Sequence, residues 1–332
     1  MLITAGYTIA VASAVAARVD QFFTEHYSIA WPNRCMLARE RGKSVKRRDF
    51  LVGSLAAVRG LAQTPNNKLD RVAVMTSYFG TRMPDTRDKG APAVPKDLQL
   101  LDFPDMMADH FHIHNIEVQQ MYFPSTEPSY FKEFQDRLRK VRSRVSNMPL
   151  EFDEQGTPGI ISVCSPDAAI QQRAIGLTKQ WIDHAALLGS PSVMVNQGPL
   201  AAGKLAPAIE GLRNVGAYGK LKNVAVTIEN RGNSTPEVLV EVIKAAGIYA
   251  NPDIGNFPDD ETRHRGLRLL YPLSHGNTHV KIAPERFDFA KTVAISLEMG
   301  YKGLYSIEAG KNVAPDPFQA VQIVLDELLK AI

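Results

Sequence analysis

"NVAVTIENRGNSTPEVLVEVIKAAGIYANPD", residues 223–253, holds one complete structural unit and sets the reading of the whole chain. Val224 to Ile228 is a run of apolar and β-branched residues, the composition of a buried strand. Thr235 then offers an N-cap hydroxyl, Pro236 fits the first helical position, and Gly247 stops the helix. "IYANPD" (248–253) is a second short strand. Both strands end on a carboxylate, Glu229 in one and Asp253 in the other. Burying an ionised carboxylate without a partner is very costly. Each must therefore reach solvent at a strand end or face something positive.

The same alternation continues on both sides. Upstream strand candidates are "RVAVMTSY" (71–78), "IEVQQMYF" (116–123), "GIISVC" (159–164) and "SVMVNQG" (192–198). Downstream ones are "THVKI" (278–282) and "GLYSIE" (303–308). Between them lie helical patterns at 103–111, 130–145, 167–189, 204–219, 258–272, 285–300 and 315–332. Eight apolar strands alternating with helices predict a parallel sheet covered by helices. Eight such units over about 260 residues match a closed (β/α)8 TIM barrel. An open doubly wound sheet would need a glycine-rich phosphate loop after the first strand, and "SYFGTRMPD" (77–85) is not one.

In such a barrel the active site lies at the C-terminal ends of the strands. Four consecutive strands there carry a potential metal ligand: Glu229, Asp253, His279 and Glu308. They are separated by 24, 26 and 29 residues, each about one β/α unit, so the four should converge. Taken singly, each has a plainer reading: a solvated strand-end glutamate, an Asp-x-Gly-Asn turn, a core histidine. Four in phase with four successive strands point instead to one divalent ion, Mn²⁺, Mg²⁺, Co²⁺ or Zn²⁺. His110, His112 and His114 precede the second strand and read as helix-end or loop residues. His184 falls on a helix, and His264 and His275 lie off the strand ends. Glu117 faces either the barrel interior or the site.

Composition bounds the alternatives. The chain has 332 residues, 45% hydrophobic and 22% charged, which is ordinary globular usage. A net charge of +3 gives no reason to expect a nucleic-acid partner. Two cysteines, Cys35 and Cys164, cannot make a disulfide scaffold. "KSVKRRDFLVGSLAAVRGLAQTP" (43–65) is basic, then apolar, then small-residue rich, and resembles a twin-arginine export signal in Arg47-Arg48-Asp49-Phe50-Leu51. Arg59 interrupts the usual cleavage region, and a basic surface helix is the rival reading. The organisation expected is an N-terminal extension and signal region over 1–65, with Met1 or Met36 as start, and a barrel over 66–332. The expected localisation is periplasmic or exported, through the twin-arginine machinery.

Several stretches together resemble the sugar phosphate isomerase/epimerase family, with its xylose isomerase-like TIM barrel. They are "HNIEVQQ" (114–120), "IDHAALLGSPSVMVNQG" (182–198), "TIENRG" (227–232), "DIGNF" (253–257), "HVKI" (279–282) and "GYKGLYSIE" (300–308). The resemblance spans residues 70–332. It implies that Glu229, Asp253, His279 and Glu308 hold the metal, that Glu229 and Glu308 are also the acid/base pair, and that Asn256 and Lys281 meet the substrate. Two positions depart from the family pattern: Ile282 stands where an aspartate is frequent, and Asn256 where some epimerases have histidine.

The chemistry implied is sugar isomerisation or epimerisation through an enediolate, the substrate being a small sugar. A 3-keto-glycoside lyase or hydrolase would use the same enolisation. A non-catalytic sugar-binding barrel is the rival from another class. An apurinic endonuclease would need more histidines and a basic groove. The oligomeric state is left open.

Overall fold

The computed structural model describes residues 67–86, 96–152, 161–198, 200, 203–231, 234–308 and 313–332. Arg47, Arg48 and the rest of the N-terminal extension lie outside the described residues. Eight strands are present: β1 (Val72–Met75), β2 (Asn115–Glu117), β3 (Arg144–Leu150), β4 (Ser192–Val195), β5 (Ala225–Glu229), β6 (Tyr249–Asn251), β7 (Asn277–Val280) and β8 (Leu304–Ile307). All neighbouring pairs are parallel, in the order β6-β5-β4-β3-β2-β1-β8-β7. β6 and β7 meet through isolated bridges, Ala250 to Ser274 and Asp253 to His279. His279 N–H donates to the Pro252 carbonyl and Ile254 N–H to the His279 carbonyl. Pro252 has no N–H to give a regular ladder. Eight parallel strands thus form a nearly closed (β/α)8 barrel.

Among the described residues eight α-helices surround it: α1 (Phe103–Phe111), α2 (Pro128–Lys140), α3 (Ala168–Leu188), α4 (Ala206–Leu221), α5 (Pro236–Ala246), α6 (Asp260–Leu270), α7 (Phe289–Glu298) and α8 (Pro317–Ala331). α5 shows how the sequence dictates them. The Thr235 hydroxyl accepts from Val238 N–H, Pro236 enters first, and Gly247 ends the helix at φ +67°, a conformation that disfavours a side chain. Leu239, Val242, Ile243 and Ala246 are buried, a stripe at helical spacing. Each large apolar side chain buried this way stabilises the fold by about 1.5–3 kcal/mol. Among the described residues no helix is long and apolar enough to cross a membrane.

One strand lies elsewhere than the sequence pattern places it. β3 is Arg144–Leu150, and residues 161–164, the described part of "GIISVC", form turns and loop rather than strand. "RVSNMPL" mixes Ser146, Asn147 and Pro149 into its buried stretch and so lacks an apolar signature. α2 correspondingly ends at Lys140 rather than 145. β2 is also short: after Glu117 the chain passes into a 3-10 turn at Gln120–Tyr122.

Candidate metal centre

Four barrel strands converge on one imidazole. β5 ends at Glu229, β7 carries His279, Asp253 follows β6, and Glu308 follows β8. Glu229, Asp253 and His279 are buried, and one ligand atom from each lies within 4.8 Å of the others. His279 Nδ1 is 3.0 Å from Glu229 Oε2, 3.7 Å from Glu308 Oε2 and 3.9 Å from Asp253 Oδ2. Three of the residues singled out in the sequence therefore lie within 4 Å of a ring nitrogen of the fourth. Glu308 is the most open of them, with its side chain 18% exposed.

The backbone around these residues is held by side-chain amides. Asn230 donates through Nδ2 to the Asp253 carbonyl and accepts from Asp253 N–H, both at 2.8 Å, tying the end of β5 to the residue after β6. Gln197 Nε2 donates to the Glu229 carbonyl at 2.7 Å. Gly255 N–H donates to Asp253 Oδ1 at 2.7 Å, which turns the loop back over that carboxylate. Such supports fix the ligand geometry before anything binds.

Glu117 belongs to the centre as well. Its Oε1 lies 2.9 Å from His279 Nε2, on the opposite side of the ring from the other carboxylates. Asn147 Nδ2 donates to Glu117 Oε1 at 2.7 Å and Asn277 Nδ2 to Oε2 at 3.2 Å. Burial opposes the charged form of Glu117, but His279 outweighs it and holds the carboxyl below its usual range. Burial likewise opposes a charged His279, yet Glu117 and Glu229 keep its pKa well above the ordinary value. With Nε2–H committed to Glu117, Nδ1 is the nitrogen left for a metal.

Two further basic side chains complete the centre. Arg231 Nε donates to Glu229 Oε1, and Arg231 Nη1 to Glu151 Oε1 at 2.6 Å. Burial alone would raise the Glu229 pKa, but Arg231 and His279 lower it. Lys281 Nζ lies 2.8 Å from Asp253 Oδ2 and 2.6 Å from Glu308 Oε2. Burial dominates at Asp253 and raises its pKa despite that lysine. Asn256 Oδ1 accepts from Lys281 Nζ at a long 3.4 Å.

The charge balance suits a cation. Among the described residues, four carboxyl groups (Glu117, Glu229, Asp253 and Glu308) pair with Arg231, Lys281 and one imidazole. Asp253 Oδ2 and Glu308 Oε2, though in ion-pair contact with Lys281, receive no well-aligned hydrogen bond. Buried acceptors in that condition are costly unless a positive partner completes them. The Glu–Asp–His trio, with oxygen and imidazole donors, could hold a divalent metal.

Arg231, Glu151, Asn147 and Asn277 were not singled out in the sequence. Arg231 lies within the "TIENRG" stretch, and Glu151 follows β3, so the strand-end argument would have reached it had that strand been recognised. His112, His114 and His184 stay apart, as expected. His112 is the left-handed cap of α1, His114 Nδ1 lies 2.9 Å from the Val141 carbonyl, and His184 stacks on Phe131 with centroids 4.6 Å apart.

The chain matches no protein-family model and no curated protein. Solved structures with the same fold include sugar epimerases and xylose isomerase-like proteins. D-allulose 3-epimerase from Methylomonas sp. superposes with a TM-score of 0.61 at 13% identity, covering 79% of this chain and 98% of its own. A xylose isomerase domain protein from Planctomyces limnophilus gives 0.59 at 16% identity, over 79% and 96%. A xylose isomerase-like TIM barrel protein from Mycobacterium smegmatis, in complex with magnesium, gives 0.56 at 18% identity, over 79% and 97%.

Proposed function

We propose that this chain is a divalent-metal-dependent sugar isomerase or epimerase in which Glu229 and Glu308 form the acid/base pair. The observation that carries this reading is the approach of Glu229, Asp253 and Glu308 to one ring nitrogen of His279 at the barrel mouth. Those four residues would hold the ion. When bound, a divalent ion supplies Lewis acidity, polarising a carbonyl and acidifying the C–H beside it.

The remaining work falls to side chains. Glu229, kept anionic by Arg231, is equipped to take a proton. Glu308, just after β8, approaches the same point from another strand and is partly open to solvent, so it can return one. Proton return to the same carbon from the other face gives an epimer. Return to the neighbouring carbon gives the aldose–ketose pair. Lys281 and Asn256 flank the carboxylates and are placed to orient substrate hydroxyls. We also propose export through the twin-arginine route, from the Arg47-Arg48-x-Phe-Leu run.

The test is a screen of sugars and keto-glycosides by NMR in D₂O with added Mn²⁺, alongside metal analysis of the purified protein. The expected result is bound divalent metal and deuterium at the carbon beside the carbonyl of one sugar. A lyase would instead release an alcohol and leave an unsaturated sugar. Protein that holds no metal, or turnover undiminished by exhaustive chelation, would overturn the reading.

A further inference from the structure

A cavity of about 510 Å³ adjoins the metal centre, between the N-terminal ends of α5 and α6. Its wall includes Arg231, Thr235, Asn256, Phe257, Arg265 and Arg286, and among its described lining residues there is no carboxylate. That volume lies within the about 300–1,000 Å³ typical of small-molecule sites. Two of its residues also belong to the centre: Arg231 holds Glu229, and Asn256 meets Lys281. A small molecule with one end at the metal centre would therefore extend its other end here.

Three guanidiniums on one wall are unusual unless something negative meets them. Arg231 is already committed to Glu229 and Glu151. Arg265 pairs with Glu237 at 3.1 Å, a pair in which both side chains are about half exposed. Arg286 is different. Its Nη2 donates to the Phe257 carbonyl at 3.0 Å, and it has no carboxylate partner among the described residues. A guanidinium carries five donors, so one carbonyl leaves most of them for water or a ligand. Its planar fork matches a carboxylate or phosphate better than it matches neutral hydroxyls.

We propose that this cavity is an oxyanion subsite, with Arg286 and Arg265 binding a carboxylate or phosphate at the far end of the sugar whose carbonyl end lies at the metal centre. This rests on the sugar reading above and narrows it to acidic sugars. Arg231 links the two ends, since it touches the base Glu229 and lines the cavity. An acidic substrate would thus be oriented by charge at one end and by the metal centre at the other.

Calorimetric titration of the metal-loaded protein with glucose, glucuronate and glucose 6-phosphate tests this, because the three share a ring and differ at one carbon. Either or both anions should bind at least about tenfold more tightly than glucose. Arg286→Met should remove about tenfold of that affinity, as should Arg265→Met, and added salt should weaken it. Both arginines are exposed enough for the variants to fold, and matching melting curves check this. The anion that loses more in Arg286→Met identifies the group. Glucose binding as well as both anions, no binding of either anion, or unchanged anion affinity in both variants would overturn the subsite. Failure of the parent reading shows separately, as absence of bound metal and of deuterium uptake.

Discussion

His279 Nε2 lies 2.9 Å from Glu117 Oε1, so a residue of β2 sets the proton position on a histidine of β7 across the barrel interior. Both side chains are fully buried. Glu117 is held in turn by Asn147 from β3 and Asn277 from β7, each donating to one of its oxygens. Glutamine at this position cannot accept from both asparagines, because one of its two terminal atoms becomes a donor. Glu117→Gln should therefore weaken metal affinity by about 10- to 100-fold, the usual effect of losing an outer partner of a metal-binding histidine. It should also cost about 1–3 kcal/mol of stability through the unsatisfied amide. Competition with a chromophoric chelator and a denaturant titration read the two effects. Unchanged metal affinity would show that Glu117 serves packing only.

The raised pKa of His279 gives a pH dependence with a definite sign. Burial acts against its charged form, but Glu117 and Glu229 outweigh burial, so the ring of the chelated protein holds a proton at neutral pH. A cation at Nδ1 must displace that proton. Affinity should then rise with pH, by about tenfold per unit below the histidine's pKa, with one proton released per ion. Calorimetry in buffers of different ionisation enthalpy counts the proton. A pH-independent affinity with no release would remove His279 from the ligand set.

Lys281 holds the same two oxygens a cation would use. Its Nζ is 2.8 Å from Asp253 Oδ2 and 2.6 Å from Glu308 Oε2. Gly255 makes room for it, since a β-carbon there would meet the lysine stem at 2.6 Å. Lys281→Met should destabilise the chelated protein by about 2 kcal/mol. That is below the about 3–5 kcal/mol of a fully buried pair because Lys281 keeps some contact with water. The same change should tighten metal binding by at least about tenfold, because a like charge leaves the site. Weaker metal binding in this variant would show that Lys281 supports the ligands rather than competing with the ion.

The fold and the four candidate ligands were legible because β5 and β8 each run into a carboxylate after an isoleucine, and Asp253 and His279 fall at about one β/α unit's spacing between them. β3 was not, because Asn147 and Ser146 are buried for their hydrogen bonds, to Glu117 and to the Ile116 carbonyl, rather than for apolarity. Arg263 is the other illegible case. It sits in the charged run "DDETRHRGLR", which reads as a solvated helix face, yet it is 1% exposed. Its Nε donates to the Ile254 carbonyl at 2.9 Å and its guanidinium lies over Phe287, 4.4 Å from the ring centroid. Only tertiary contact tells such an arginine from its solvated neighbours. Lys281 contacts Asp253 and Glu308, and Asn256 contacts Lys281.

Export can be checked without knowing the substrate. Replacing Arg47 and Arg48 together by lysine keeps the charge but removes the twin-arginine pair. The precursor should then stay in the cytoplasm, as seen by fractionation. Unchanged export of the double variant would restore the basic surface helix as the reading of this segment.

The acid/base assignment makes the most direct demand on the chemistry. Glu229 and Glu308 come from strands three positions apart around the barrel, yet both reach His279 Nδ1, at 3.0 and 3.7 Å. Their surroundings differ. Glu229 is sealed at 1% exposure against Arg231, whereas Glu308 is 18% exposed beside Lys281. If Glu229 takes the proton and Glu308 returns one, the product should carry solvent deuterium at the carbon next to the carbonyl. Loss of a general base or acid costs about 10²–10⁴ in rate. Glu229→Gln and Glu308→Gln should each lower kcat within that range. Both positions are also ligand candidates, so each variant must be assayed at saturating metal, which separates lost proton transfer from lost ion. The difference in exposure predicts an asymmetry: Glu308, open to water, should exchange its proton before returning it, while sealed Glu229 should exchange slowly. In Glu308→Gln, product formation should then fall while the remaining substrate gains little deuterium, because sealed Glu229 returns the proton it took. Turnover of the unmodified protein with no deuterium in the product would instead favour a hydride shift, with neither glutamate carrying the transferred hydrogen.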